Sequence, residues 1–86
     1  MPRRHRERLE IIGAILTFVK NKKEFKKTEI MRNVGLSFSQ LKKYLSLLLE
    51  NELIIKTSKD AFEITEKGEE FLRRLEELKE MISLKK

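Results

Sequence analysis

The amino-acid sequence predicts a mostly helical α+β fold, and three observations lead to this class. Two amphipathic segments are joined by a few residues that include Gly35. Two short runs with strand-like apolar patterns follow them. The chain then ends in a long segment whose apolar residues are spaced four, three and four apart. Because 86 residues allow one domain with a single modest core, we expect three helices, a small β-hairpin and a long last helix.

The first helix is predicted over about residues 4–21 by apolar residues at helical spacing. They run from Leu9 to Val19, and further apolar residues widen this face beyond what a simple surface helix needs. We expect the domain core to cover one side, and a second subunit is a candidate for the other. The segment NKKEFKK breaks the pattern, and Phe25 within it is predicted to make an edge-strand contact.

The strongest local signature is a short helix, a turn and a third helix. Thr28 is the predicted N-cap of the second helix, and Gly35 is predicted to end it in a left-handed conformation. Ser37 and Gln40 have the spacing of a capping box, which predicts that a third helix begins there. A connection of about three residues with one glycine is typical of a helix-turn-helix.

The end of the chain predicts a hairpin and then a helix. Residues 53–57 and 61–65 are expected to pair around Ser58, Lys59 and Asp60. Thr65 is the predicted cap of a helix that reaches about residue 84, a length of about 28 Å. A domain this small cannot bury such a helix, so we predict that its apolar seam pairs with a second copy as a coiled coil. The predicted dimer interface contains Phe71, Leu72, Leu75, Leu78, Met81 and Ile82.

Positive charge is concentrated in the first two thirds of the chain. The net charge is +6, but residues 1–59 hold fourteen Lys and Arg against six Asp and Glu, whereas residues 60–86 hold six against eight. The basic part therefore coincides with the helix-turn-helix pattern, which favours a nucleic-acid partner. A high content of Lys and Glu also suits a thermophilic protein, so composition by itself does not decide between these explanations.

The outward face of the third helix is the predicted DNA-binding surface. A helix about 10 to 12 Å across fits the major groove of B-form DNA. Periodicity places Phe38 with the core-facing residues and Leu47 with the outward-facing ones. An amide side chain can present a donor and an acceptor to adenine, ammonium groups can contact phosphate or guanine, and hydroxyl groups can contact bases or phosphates. Lysines are also common on an ordinary solvated face. The candidate DNA contacts are Ser37, Ser39, Gln40, Lys42, Lys43 and Ser46, with Glu50 marking the end of this face.

Other basic residues are weaker candidates for DNA contacts. Arg32 is a candidate phosphate contact because the helix before a recognition helix crosses the DNA backbone. Lys56 and Lys59 are candidates in the hairpin. The N-terminal arginines are either an arm that reaches a minor groove or phosphates, or a frayed and solvated terminus. These arginines are Arg3, Arg4, Arg6 and Arg8.

The sequence disfavours several other classes of function. It has no cysteine, and its lone His5 lies in the arginine-rich run, so we expect no metal site. It has no glycine-rich phosphate loop or catalytic constellation, so we expect no enzyme, no cofactor and no small-molecule ligand. The apolar run 11–19 lacks a signal-peptide cleavage site and is too short to span a membrane. We therefore expect a cytoplasmic protein without membrane contact.

Two parts of the sequence carry a resemblance to a known family. The segment TEIMRNVGLSFSQLKKYLSLLLENELI, followed by FEITEKGEEFLRRLEEL, resembles archaeal winged helix-turn-helix regulators and small chromatin-type proteins. In those proteins the last helix pairs as an antiparallel coiled coil in a dimer. The most distinctive pieces are LSFSQLKKYL and ITEKGEEFL. The resemblance implies that the helix from Ser37 is the recognition helix.

This sequence departs from that family at two places. Glu52 stands where relatives commonly have glycine before the strand, which predicts a locally different turn. The last helix is also shorter than in the members with a long coiled coil.

The predicted organisation is a winged helix-turn-helix over residues 1–65, with a basic N-terminal arm, and a dimerisation helix over residues 66–86, together forming one compact domain. The predicted function is binding of double-stranded DNA as a homodimeric transcriptional regulator. Two alternatives stay open. One is chromatin-type DNA packing that is indifferent to sequence, and the other is a winged-helix protein-interaction module that binds no DNA.

Overall fold

The computed structural model of the chain describes the backbone of residues 3–22 and 24–82 and the side chains of residues 8–22 and 24–82. The predicted order of three helices, a hairpin and a last helix is confirmed. The last helix ends at Met81, and residues 83–86 at its predicted end lie outside the described residues. The elements in chain order are α1 (Arg3–Lys20), β1 (Phe25–Lys26), α2 (Lys27–Val34), α3 (Phe38–Glu50), β2 (Ile54–Ser58), β3 (Ala61–Ile64) and α4 (Glu66–Met81).

The hairpin forms part of an antiparallel sheet with the strand order β1-β3-β2. Phe25 of β1 lies opposite Phe62 of β3, and their rings stack with centroids 5.7 Å apart. The predicted edge-strand contact of Phe25 is therefore confirmed. On the other side of β3, an irregularity between Lys56 and Ser58 interrupts the pairing with β2. The short strand β1 thus attaches the hairpin to the helical body.

One hydrophobic core joins the helices to the sheet. Its largest fully buried side chains include Phe25, Leu16 and Ile30, which come from β1, α1 and α2. The helix α3 contributes one face to the core, and α4 contributes Leu72. The core therefore fixes the orientation of α3 relative to the other helices. Its members are Ile12, Ile15, Leu16, Val19, Phe25, Ile30, Leu36, Leu41, Tyr44, Leu45, Leu48, Leu53, Ile54, Phe62 and Leu72.

The start of α2 differs from the prediction. The helix begins at Lys27, so Thr28 lies within its first turn and is not its N-cap. The reason is the position of Glu29, whose carboxylate accepts a hydrogen bond of 3.0 Å from the backbone N–H of Lys26. Glu29 in the first turn of α2 thus pairs with the N–H of Lys26, the N-cap residue, which also belongs to β1. Glu29 also forms an ion pair with Lys22, and these partners lower the pKa of its carboxyl, the Lys26 N–H contributing most.

The turn from α3 into β2 contains a residue in the left-handed conformation. Glu52 has a φ of 61°, the backbone conformation that glycine adopts most easily. The chain thus holds a left-handed residue here without a glycine. Two hydrogen bonds connect the turn to the start of α4, because the Thr65 hydroxyl donates to the carbonyl of Glu52 at 2.6 Å and the Thr65 N–H donates to that of Leu53 at 3.0 Å.

Thr65 also caps α4, as predicted. Its hydroxyl oxygen accepts a hydrogen bond of 2.9 Å from the N–H of Gly68. Gly68 lies against the backbone of Leu53, and a Cβ at this position would overlap the Leu53 carbonyl oxygen. The residue just before β2 and the start of α4 therefore approach each other closely because residue 68 has no side chain.

The helices α1 and α4 pack against each other in opposite directions. Lys20, at the end of α1, lines the same depression as Glu69, near the start of α4. Further along, Gly13 lies against Leu75, and Glu10 lines the same groove as Lys79. The two helices are therefore antiparallel. The start of α1 and the end of α4 consequently lie at the same end of the molecule.

Candidate nucleic-acid interface

The turn between α2 and α3 is fixed by backbone hydrogen bonds. Gly35 has a φ of 79°, which confirms the predicted left-handed end of α2. The N–H groups of Gly35 and Leu36 both donate to the carbonyl of Met31, at 2.9 and 3.1 Å. Leu36 is buried in the core. The turn therefore sets the path of the chain into α3 by local bonding and by burial.

The predicted capping box at the start of α3 is confirmed. The N–H of Gln40 donates to the hydroxyl oxygen of Ser37 at 3.2 Å, and the N–H of Ser37 donates to the side-chain oxygen of Gln40 at 3.1 Å. The acceptor of the Gln40 amide is consequently in use within the helix. Its amide nitrogen is the group that remains for a partner, so the predicted donor-and-acceptor pairing of Gln40 with adenine requires the cap to open.

The two faces of α3 differ in burial and in chemistry. Leu41, Tyr44, Leu45 and Leu48 are buried. The other face is exposed and polar in its first half, and Glu50 is exposed further along. The core thus holds one face while the other stays open to a partner. The exposed candidate contacts on α3 and its cap are Ser37, Ser39, Gln40, Lys42, Lys43 and Ser46.

Two apolar residues of α3 lie where periodicity did not place them. Phe38 was expected to face the core but is 60% exposed. It is the first residue of α3, so no earlier turn of the helix covers its ring. Leu47 was expected to face outward but is half-buried and packs against the core. A signal for Phe38 was present in the sequence, because the residue directly after a predicted N-cap stands at the tip of the helix.

The weaker candidates outside α3 are also at the surface. Arg32, near the end of α2, is exposed. Lys56 is exposed on β2, and Lys59 is exposed in the turn of the hairpin. The helix α1 includes Arg3, Arg4 and Arg6, but their side chains lie outside the described residues.

The candidate contacts carry positive charge that is not neutralised nearby. Across residues 8–22 and 24–82, the ion pairs join Lys22 to Glu29 at 3.1 Å and Arg74 to Glu70 at 2.7 Å. Lys42 and Lys43 therefore form no ion pair within that part of the chain. Free ammonium groups on one exposed helix face favour an anionic partner.

The predicted dimer residues of α4 divide into two groups. Leu72 and Leu75 are buried within the same chain, and Phe71 is half-buried against the core. In contrast, Leu78, Met81 and Ile82 are 57%, 78% and 62% exposed. Leu72 and Leu75 differ from the prediction because α1 packs on this stretch of α4. The apolar surface that remains open is the last turn of α4.

Two further findings concern other classes of site. No group of three or more His, Cys, Asp or Glu residues within the described ranges could hold a metal ion. Among the helices described here, none combines the length and apolar character that a membrane crossing requires.

The order of helices, turn and hairpin is that of a winged helix-turn-helix domain. The chain belongs to the winged helix-turn-helix family, whose sequence model matches residues 5–83. A solved structure to which the chain is similar is that of Sso10a-2, described as a DNA-binding protein from Sulfolobus solfataricus. The alignment has a TM-score of 0.61 and 27% identity, and it covers 90% of this chain and 95% of that one.

Two uncharacterised proteins of Methanocaldococcus jannaschii are also similar. MJ0290 is 40% identical over 82 residues, which are 95% of this chain but 38% of that protein. MJ0287 is 35% identical over 80 residues, which are 93% of this chain and 80% of that protein. The chain thus spans well under half of the first relative and most of the second. The resemblance to archaeal winged helix-turn-helix proteins is confirmed.

Proposed function

We propose that the chain binds double-stranded DNA, with α3 as the recognition helix in the major groove. The observation that carries the proposal is the exposed first half of α3. There Lys42 and Lys43 are exposed and form no ion pair among the described residues, and Ser39 lies on the same face. Because the opposite face is buried, the backbone that carries these groups is held in a fixed position. An exposed, cationic and preorganised helix face suits the phosphate-lined major groove.

The comparisons support a binding protein and not an enzyme. The chain belongs to a family of winged helix-turn-helix domains, and a similar solved structure is described as a DNA-binding protein. The shared fold would place α3 and the hairpin in the positions that this class uses on DNA. Family and fold alone do not determine function, so the chemistry of α3 remains the main argument.

Basic residues outside α3 would add contacts to the DNA backbone. We assign phosphate contacts to Arg32, Lys56 and Lys59, which are exposed on α2 and the hairpin. Phosphate contacts supply most of the affinity of such proteins and make it depend on salt. The arm of Arg3, Arg4 and Arg6 is a further candidate for phosphates or a minor groove.

We further propose that the protein is a homodimeric transcriptional regulator. Leu78, Met81 and Ile82 at the end of α4 are exposed apolar residues that a second copy would cover. Two copies of α3 held at a fixed distance would recognise two half-sites, and their spacing would follow from the geometry of the dimer. Chromatin-type packing uses the same phosphate contacts but does not prefer one DNA sequence. A comparison of binding to selected and random DNA therefore distinguishes the two functions.

The test of DNA binding compares the wild type with a Lys42→Gln/Lys43→Gln variant at increasing salt. Each lysine that contacts a phosphate contributes about 0.9 to the slope of log K against log salt concentration. The double variant should therefore lose affinity and reduce the slope by about 1.8 for each bound protomer. Fluorescence anisotropy of a labelled duplex measures both quantities.

The matched control is Lys67→Gln/Lys79→Gln, which removes the same charge from exposed positions of α4. Its affinity and slope should equal those of the wild type. If no duplex binds even near about 50 mM salt, where phosphate contacts are strong, the proposal is wrong and a protein-interaction module is favoured. Equal affinity for random and selected duplexes would favour packing over regulation.

A further inference from the structure

Phe38 is an exposed aromatic residue at the start of the candidate recognition helix. Its side chain is 60% exposed, and it belongs neither to the core nor to the half-buried apolar residues that pack on the core. A single exposed apolar residue is common on protein surfaces and needs no explanation by itself. What distinguishes Phe38 is the set of groups around it.

The ring of Phe38 is held next to a cation on a rigid turn. The ammonium group of Lys42, one helical turn further along, lies 5.8 Å from the centre of the ring. The capping box of Ser37 and Gln40 fixes the backbone on both sides of Phe38. The ring therefore projects from a fixed backbone position at the tip of α3, with positive charge beside it.

This arrangement suits a polyanion that carries one apolar group. The other exposed large apolar residues in the described ranges lie on α1, on β2 and on α4 with its C-cap, so Phe38 is not part of an extended apolar patch on α3. A stable protein interface needs a larger apolar area than one ring. In the DNA major groove, the C5 methyl of thymine is the apolar group that each A·T pair presents among its hydrogen-bonding groups.

We propose that Phe38 recognises thymine by packing its ring against the C5 methyl group in the major groove. The first residues of a recognition helix are the ones that contact base edges, and Phe38 is the first residue of α3. Lys42 would contact the DNA at the side of the ring. This inference rests on the proposed binding of DNA through α3 and adds a base preference to it.

The test replaces thymine by uracil, one position at a time, in a duplex selected from a random library. Uracil keeps the hydrogen-bonding groups of thymine and lacks only the methyl group. At one position in each half-site, uracil should weaken wild-type binding about fourfold, the effect of removing one buried methyl group. Replacement by 5-bromouracil, whose bromine fills the place of the methyl group, should restore the affinity.

Substitutions of Phe38 test whether this residue causes the preference for thymine over uracil. Phe38→Ala should bind the thymine and uracil duplexes equally, whereas Phe38→Leu should keep part of the preference because it keeps an apolar side chain. Lys43→Gln is the matched control, because it should weaken binding to both duplexes by the same factor. Since the ring is exposed, circular dichroism and thermal unfolding should show Phe38→Ala folded as the wild type.

The possible outcomes separate this inference from the proposed function. If wild-type protein binds DNA but treats thymine and uracil alike at every position, the inference is wrong and DNA binding stands. A preference for thymine that persists unchanged in Phe38→Ala would also overturn it. If no duplex is bound at low salt, both the inference and the proposed function fail.

Discussion

Single backbone positions connect the turn between α3 and β2 to the last helix. Glu52 occupies the left-handed conformation that glycine adopts more easily, and its carbonyl accepts a hydrogen bond from the Thr65 hydroxyl. Leu53 accepts another hydrogen bond from the N–H of Thr65. Gly68 then allows α4 to approach Leu53 closely. The motif ITEKGEEFL thus contains both a cap and a point of close contact.

Gly68→Ala should destabilise the fold. The added Cβ would overlap the Leu53 carbonyl and would lie 2.8 Å from Cγ1 of Ile64. Because the first of these neighbours is backbone, α4 must shift, at a cost of about 1 to 3 kcal/mol in the free energy of unfolding. Urea unfolding at one fixed protein concentration measures the change.

The matched control for this substitution is Gly13→Ala. Its Cβ would approach only Cδ2 of the Leu75 side chain, at 3.0 Å. Since that methyl group can move, and since alanine favours a helix over glycine by about 1 kcal/mol, we expect a change close to zero. If the two alanine variants lost equal stability, the close contact at Gly68 would not be the cause.

At the scale of elements, local signals in the sequence predict helix ends well. Ser37, Gly35 and Thr65 act as predicted because a cap depends on residues three or four positions apart. Thr28 is not the cap because Lys26 takes that position, where Glu29 bonds its N–H and where β3 pairs with it. The beginning of α2 therefore depends on one local bond and on one pairing with a distant part of the chain.

Periodicity alone does not determine which neighbour covers an apolar residue. The spacing on α4 fits a seam for a second copy and also fits packing on α1, and the structure uses Leu72 and Leu75 for packing within the chain. Phe38 has the angular position of a core-facing residue, but it is the first residue of α3 and its side chain is 60% exposed. For both helices, the missing information is tertiary packing.

Ser37 provides a test of α3 as an element, because it is both a cap and a candidate DNA contact. Ser37→Ala should lower the free energy of unfolding by about 1 kcal/mol through loss of the cap. Ser37→Asp keeps an acceptor for the Gln40 N–H and favours the positive end of the helix dipole, so its stability should match the wild type.

The aspartate variant should nevertheless bind DNA more weakly, because its carboxylate would face phosphates. One unit of charge at the contact surface corresponds to about tenfold in affinity near 0.1 M salt. Anisotropy titrations and thermal unfolding of the two variants separate the cap from the contact. Unchanged DNA affinity in a stable Ser37→Asp protein would mean that the start of α3 does not approach the phosphates.

At the scale of the whole molecule, four of the six exposed large apolar residues in the described ranges lie at one end. The start of α1 and the end of α4 lie together there, because these helices run in opposite directions. Leu9 of α1 is 46% exposed, and Leu78, Met81 and Ile82 of α4 are more exposed still. A second copy would remove this surface from water, at a gain of roughly 25 cal/mol for each Å² of apolar area buried.

The proposed dimer predicts that Leu78→Glu/Met81→Glu is a folded monomer. Both residues are exposed, so the charges should not unfold the chain, whereas Leu75→Glu would place a charge in a buried position. Sedimentation should give twice the 10.3 kDa chain mass for the wild type and the single-chain mass for the variant. Lys67→Glu adds a negative charge to the first turn of α4 and should remain dimeric.

The same monomer should show how the dimer contributes to DNA binding. One protomer makes half of the phosphate contacts of two, so the slope of log K against log salt concentration should fall to about half. Affinity for a duplex with two half-sites should fall to that for a single half-site, since the second α3 is no longer held beside the first. A variant that stays dimeric would refute the interface, whereas a monomer with the full salt slope would show that dimerisation plays no part in DNA binding.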